Sequence, residues 1–375
     1  MRRLRLGLLL GAAQLIGCGD GPTAARPTLD VAITGMAERG ATVGLELRRD
    51  GVAFVPATLT VDVEPADAVT VTGSSLLLLR AGTFPLRVIA DGDTARATLT
   101  VVAPPRIVFD AVVGGNRDIY SVALDGQELQ RVTTNAADDA QPTAAGGTII
   151  FSSRRDGNAE LYAIAPDGSG ERRLSNSPAV NEILPALSAD GRLLAFVKDS
   201  AHVTRVWVSP PDLTGASPAT PPTTAVTGAL ESSPSWGASD FLVVFATTAT
   251  PSGNSGIVMH VTPGGGTTLI RDSGSQRAEV EPSLSPDGLS VALASGNGSV
   301  SGVYTRDLSG AISTMYEASA SVGQPAFLLD RRIAFTRFTL TGSSLAWVDP
   351  RTPLVVHDIA LPGLLSPQHP QPLRP

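Results

Sequence analysis

The stretch Pro282-Ser283-Leu284-Ser285-Pro286-Asp287-Gly288-Leu289-Ser290-Val291-Ala292-Leu293 decides the fold. A proline introduces a short run, Ser285-Pro286-Asp287-Gly288 makes a tight turn, and an apolar strand returns. Proline presets φ and glycine tolerates positive φ, so the turn has a mechanism. The same order recurs along the chain. The apolar strand reappears as Arg106-Ile107-Val108-Phe109, Thr148-Ile149-Ile150-Phe151, Leu193-Leu194-Ala195-Phe196, Leu242-Val243-Val244-Phe245, Ser290-Val291-Ala292-Leu293 and Arg332-Ile333-Ala334-Phe335, 42 to 49 residues apart. The proline reappears at Pro142, Pro185, Pro234, Pro282, Pro325 and Pro372, at similar intervals. Two independent series agree on six copies, and a repeat of this length built from four short strands is the signature of a β-propeller blade.

The two ends of the repeat region are complementary. Arg106 begins directly on the apolar strand, with Pro104-Pro105 leaving no room for the inner strand that precedes it elsewhere. The tail His369-Pro370-Gln371-Pro372 carries the proline motif that should introduce such a strand, and no apolar strand follows it. The expectation is therefore a closed ring, with the C-terminal segment adding the innermost strand to the blade that starts at Arg106 and so covering an open sheet edge.

Pro282 to Gly288, together with Phe151-Ser152-Ser153-Arg154-Arg155-Asp156-Gly157-Asn158-Ala159-Glu160-Leu161-Tyr162, resembles the repeat of TolB-type propellers. The resemblance extends from Arg106 to the end and weakens at the Pro/Thr-rich insertion from Pro210 to Thr224 and at Asp349-Pro350-Arg351. It implies a fold and a binding style of function. TolB's own partners do not transfer, because its propeller follows an α/β domain and this one follows something else.

That something else is alternation. Leu29 to Ile33, Val43 to Leu47, Leu59 to Val63, Val69 to Val71, Phe84 to Val88 and Ala97 to Val101 are period-two runs separated by Gly, Pro and Asp turns. They read as a small antiparallel sandwich over residues 28–103. The segment resembles bacterial immunoglobulin-like domains, notably in Ala81-Gly82-Thr83 ahead of a Val/Ile strand. The fold class expected for the whole chain is all-β: an immunoglobulin-like sandwich, then a six-bladed propeller over residues 106–375.

Ahead of both lies a leader. Met1-Arg2-Arg3-Leu4-Arg5 is basic and Leu6 to Ile16 is mostly apolar, a run too short to span a bilayer. This is the layout of a secretory signal over residues 1–17. Leu15-Ile16-Gly17-Cys18 then resembles a bacterial lipobox, which implies a diacylglyceryl thioether on Cys18, two acyl chains, and hence stable anchoring. Residues 18–27, rich in Gly, Pro and Ala, would form the tether. With Gly19 after the cysteine and aspartate only at Asp20, the enteric sorting pattern points to the outer membrane.

Composition fits an exported, weakly charged protein. The formal charge is −7, and removal of Arg2, Arg3 and Arg5 with the leader would leave −10, which argues against nucleic acid as a partner. Cys18 is the only cysteine, so no disulfide is available and stability must come from packing and closure.

Catalytic motifs are missing. No Gly-x-Ser-x-Gly elbow occurs. His202, His260, His357 and His369 fall in different repeats without paired ligand spacing, and read as surface or packing residues. Asp156-Gly157-Asn158 lacks the further acidic ligands of a calcium loop and reads as a turn. No catalytic residue, metal or cofactor is assigned.

One constellation is left. Asp139 and Gln141, Glu182, Glu231, Glu279 and Glu281, Gln324, and Gln368 with Gln371 stand just before or beside the repeated prolines. In a propeller this loop would lead into the innermost strand, so the copies should ring one mouth of the channel as a polar, mainly acidic surface suited to a basic peptide, a cation or sugar hydroxyls. The same side chains can instead accept backbone N–H bonds and fasten adjacent blades. Two function classes follow: an envelope scaffold binding protein, peptide or glycan, and a carbohydrate-active or peptidase-like enzyme. Convergence of histidine with carboxylates in the channel would favour the enzyme.

Overall fold

The computed structural model describes residues 28–201, 203–219, 230–236, 242–247, 256–261, 267–272, 278–296, 301–307, 311–318 and 321–374. The signal segment, Cys18 and His202 lie outside these residues, as do the side chains of His260 and Glu279. The chain divides into two compact units, residues 1–104 and 105–375.

In the first unit, Leu29–Thr34, Thr42–Arg49, Ser75–Leu78 and Val69–Thr72 form one antiparallel sheet, with Val52–Ala53 on its side, and Leu59–Val63, Gly82–Ala90 and Asp93–Val101 form a second. Alternation explains the packing. Val43, Leu45 and Leu47 of the first sheet and Leu86, Val88 and Leu99 of the second point into one shared core, while the residues between them face outward. The Ser75–Leu78 strand was not legible as an alternating run, because Leu76-Leu77-Leu78-Leu79 is continuously apolar; in place, Leu76 and Leu78 are buried and Leu77 and Leu79 are exposed.

In the second unit the described residues form six four-stranded antiparallel sheets. Sheets 2 to 6 each run in chain order from an inner strand outward: Asp139–Ala145, Asn181–Leu187, Glu231–Trp236, Ala278–Leu284 and Val322–Phe327 are the inner strands. Sheet 1 is assembled from both ends of the unit. Its second and third strands, Arg106–Val113 and Asn116–Ala123, are completed on the inside by Leu365–Pro372, which pairs antiparallel with Arg106–Val113. Each inner strand packs against the inner strands of its two neighbours, and the series returns from sheet 6 through Leu365–Pro372 to sheet 2. The ring is closed by the C-terminal strand.

The apolar series supplies the core between sheets. Phe109, Phe151, Phe196, Phe245, Leu293 and Phe335, one from the second strand of each sheet, are fully buried. Truncating one such phenylalanine costs about 3–5 kcal/mol in a close-packed interior. Hydrogen-bonded turns fix the hairpins: Ser188 and Ser285 hydroxyls donate to Asp190 and Asp287 at 2.7 and 2.6 Å, and each aspartate accepts a backbone N–H two residues on.

Candidate functional site

The proline repeat has a structural purpose that the sequence did not disclose. Proline cannot donate to a sheet ladder and is confined to edges or bulges. All six inner strands are bulged at the proline and the residue before it, with register shifts between Ala140 and Thr143, Ile183 and Ala186, Ser232 and Ser235, Val280 and Ser283, Gly323 and Ala326, and Gln368 and Gln371. The residue before the proline takes a positive φ in every copy: Gln141 (57°), Leu184 (51°), Ser233 (53°), Glu281 (54°), Gln324 (54°) and His369 (51°). Left-handed backbone at non-glycine residues costs about 1–3 kcal/mol each and persists where surroundings over-determine it. The sixth copy is therefore His369-Pro370, two residues earlier than the Pro372 that spacing alone suggested.

The bulge sorts the expected site residues into two sets. The residue before each proline is half-buried and lines an axial cavity of about 280 Å³, together with the first five of the prolines, Ser235, Ser283 and Gln371. Gln141, Glu281, Gln324 and Gln371 are thus brought together. Asp139, Glu182 and Glu231, three residues before their prolines, are buried away from the cavity lining, which corrects the expectation that they ring its mouth. They also lie inside the inner strands, not in loops leading into them. The physical reason is that each is held by neighbours: Asp139 accepts from Arg155 (3.1 Å) and from Asn135, Glu231 accepts the Val206 N–H of the preceding sheet (2.8 Å), and Glu182 sits 3.7 Å from Lys198 Nζ. Burial, with the nearby Glu160 charge, pushes the Glu182 carboxyl up from its ordinary value.

The cavity-lining side chains fasten one sheet to the next. Leu184 N–H donates to Gln141 Oε1 at 3.1 Å, Gln324 N–H to Glu281 Oε2 at 2.6 Å, and His369 N–H to Gln324 Oε1 at 3.0 Å. Hydroxyls steady the two amides, Ser152 on Gln141 (3.1 Å) and Thr336 on Gln324 (2.8 Å). A second tier lies just beyond the prolines: Leu187, Leu284 and Phe327 N–H groups donate to Thr143, Ser235 and Ser283 hydroxyls at 3.0, 3.1 and 2.9 Å. Each such bond is worth about 0.5–1.5 kcal/mol, and together they offset the strain of the bulges.

At the seam between chain ends the latch runs through a residue the sequence reading did not single out. Asp110 is fully buried; it accepts the Gln141 N–H (2.9 Å) and the Arg117 guanidinium, and lies 2.7 Å from His369 Nδ1. Arg117 also donates to the Ser366 carbonyl at 3.3 Å. One signal was present: a charge directly after Ile107-Val108-Phe109, at a position where other copies carry Ser152, Val197, Ala246, Ala294 or Thr336. His369 therefore joins the cavity, with one carboxylate beside it. His357 instead stacks on Trp347, ring centroids 3.9 Å apart. Among the described residues no group of three His, Cys, Asp or Glu is arranged to hold a metal.

A further network repeats in sheets 1 and 2. Asp118 and Glu160, both fully buried, receive Thr133 and Ser175 hydroxyls, Asn116 and Asn158 amides, and Arg131 and Arg173 guanidinia. Burial raises the Asp118 carboxyl despite Arg131. For Glu160 burial acts in the same direction, and the Ser175, Ser177 and Asn158 bonds with the Arg173 charge outweigh it, so the net shift is downward. These groups brace third strands and do not line the axial cavity.

Residues 104–266 match the family model described as the TolB beta propeller domain. The fold is that of a TolB-like β-propeller. TolB from Acinetobacter baumannii superposes with a TM-score of 0.62 at 12% identity, covering 82% of each chain. A putative TolB from Agrobacterium tumefaciens gives 0.56 at 12% identity, covering 72% of this chain and 94% of that one. Hydrazine synthase of Kuenenia stuttgartiensis gives 0.58 at 12% identity, and 47% of its chain is covered. At these identities the likeness concerns architecture alone. No curated protein matches the sequence significantly.

Proposed function

We propose that this chain is an exported envelope lipoprotein, anchored through Cys18 in the outer membrane, whose six-bladed propeller of the TolB type presents its axial cavity as a non-catalytic binding surface for an envelope protein, peptide or glycan. The segment ahead of it, an immunoglobulin-like domain, acts as spacer between lipid and propeller. The observation that carries this reading is the commitment of the cavity's polar groups: Gln141, Glu281 and Gln324 line it and each hold a backbone N–H of the next inner strand, and Asp110, buried behind the lining, holds that of Gln141. Groups fixed in that way give a rigid, preformed rim, in which Leu184 and proline rings offer apolar contact. The test is a photo-crosslinking side chain at Leu184 in envelope preparations. A discrete adduct is expected there and none from the same probe at Leu129, outside the cavity. Equal labelling at both sites, or none at Leu184, would sink the reading.

A second reading, an enzyme, is favoured by one observation: His369 Nδ1 meets Asp110, which would orient the ring as a general base toward the cavity that Glu281 also lines. Substrate turnover abolished by His369→Gln with unchanged melting would establish it. Anchoring is tested separately, since Cys18→Ala should release the protein from the membrane fraction.

A further inference from the structure

The axial channel continues past the cavity into a second, narrower space. It begins at the second-tier hydroxyls Ser235 and Ser283, shared with the larger cavity, and is closed by Trp236, Phe327, Leu187 and Arg374. The strand Leu365–Pro372 delivers Arg374: Leu373 N–H donates to the Arg106 carbonyl at 3.0 Å, which turns the next side chain inward. The Nε and Nη1 atoms of Arg374 are buried and have no hydrogen-bond partner among the described residues. Among the described residues no aspartate or glutamate lines this space. Arg374 as a residue is only partly buried, whereas the fully buried carboxylates of the propeller are met by opposite charges, Asp110 by Arg117, Asp118 by Arg131 and Asp139 by Arg155.

We propose that Arg374 forms an anion site in the inner part of the channel, one that takes a single small carboxylate group. A buried guanidinium without a counter-charge is expensive, and a bidentate carboxylate is its best geometric match. Burial alone pulls the Arg374 guanidinium down from its ordinary range, yet an arginine stays protonated in proteins. The hydroxyls of Thr143, Ser235 and Ser283 line the space and accept N–H bonds through oxygen, and a hydroxyl that accepts such a bond still has one hydrogen to donate. Free volume sets the size. About 20 Å³ is room for one or two water-sized groups, which admits a carboxylate head and excludes a sugar or a phosphorylated nucleoside. The body of a ligand would then occupy the adjoining cavity of about 280 Å³. The site is separate from the outer ring of Gln141, Glu281 and Gln324, and stands whether or not that ring captures an envelope partner.

The experiment is calorimetric titration of the full chain with sodium acetate in a buffer without other small carboxylates, alongside Arg374→Gln and the exposed control Arg192→Gln. Saturable binding at one site per chain is expected for wild type and Arg192→Gln, with affinity at least tenfold weaker in Arg374→Gln. Glu281→Gln should leave acetate binding in place, which separates this site from the outer ring. Absence of saturable acetate binding to wild type overturns the proposal whatever the variant does. Equal affinity in Arg374→Gln overturns it as well.

Discussion

Asp110→Ala is the substitution whose outcome the structure specifies most fully. The carboxylate is completely buried and serves three groups at once: the Arg117 guanidinium, the Gln141 N–H at 2.9 Å and the His369 ring at 2.7 Å. Alanine breaks a buried ion pair, which costs about 3–5 kcal/mol, and orphans a backbone N–H as part of that loss. Arg117 keeps one-fifth of its side chain exposed and can turn to solvent, which places the expected loss near the lower end, about 3 kcal/mol. A propeller stable by about 5–15 kcal/mol would lose a large fraction of its margin. All three tryptophans, Trp207, Trp236 and Trp347, belong to the second unit, so their fluorescence in urea follows the propeller alone. With a slope of about 3 kcal/mol per molar urea, the midpoint should fall by about 1 M. Asp110→Asn keeps an acceptor for Gln141 N–H while losing the charge, and should fall between wild type and alanine. A midpoint for Asp110→Ala within about 0.3 M of wild type, or equal losses in the two variants, would refute the seam as described.

Other outcomes follow from the same geometry. Deleting residues 366–375 removes the inner strand of sheet 1 and should abolish the tryptophan transition of the propeller at temperatures where wild type is folded, while circular dichroism retains a transition from the first unit. Glu182 has a carboxyl raised by burial and by Glu160, so the folded state binds its proton more tightly than the unfolded chain. Its contribution is present below the ordinary glutamate value of 4.5 and is lost as pH rises through the raised folded value. Glu182→Gln should accordingly gain stability relative to wild type as pH is raised from about 4.5 toward neutrality, and a constant difference across that range in urea titrations would contradict the assignment.

The repeat was legible because burial of one large apolar side chain per sheet leaves a trace at fixed intervals: Phe109 through Phe335 could be counted without coordinates. Closure was legible for a related reason, a missing strand at one end and a surplus motif at the other. The site was only half legible. Asp139 and Gln141 are two residues apart, which on a regular strand gives one face, and a bulge with a left-handed residue sends one inward to Arg155 and the other to the axis. Nothing in alternation announces such a bulge, and the cluster Pro367, Pro370 and Pro372 offers three candidate registers for the last copy. His369 and Asp110 are 259 positions apart, and a pair made by ring closure has no local signature. Arg374 is still less visible, because its distinguishing property is that its buried Nε and Nη1 find no partner in three dimensions among the described residues.

The central claim, that the axial cavity is where a partner binds, is tested most directly by filling it. Leu184 lines the cavity, already holds the left-handed conformation, and contributes no side-chain hydrogen bond to the latch, so Leu184→Trp adds bulk without removing a fastening. The measurement is quantitative capture of envelope components by wild-type and Leu184→Trp protein, with the melting temperature of each recorded. The account expects unchanged melting and loss of the component captured by wild type. Undiminished capture by a folded Leu184→Trp protein would contradict it.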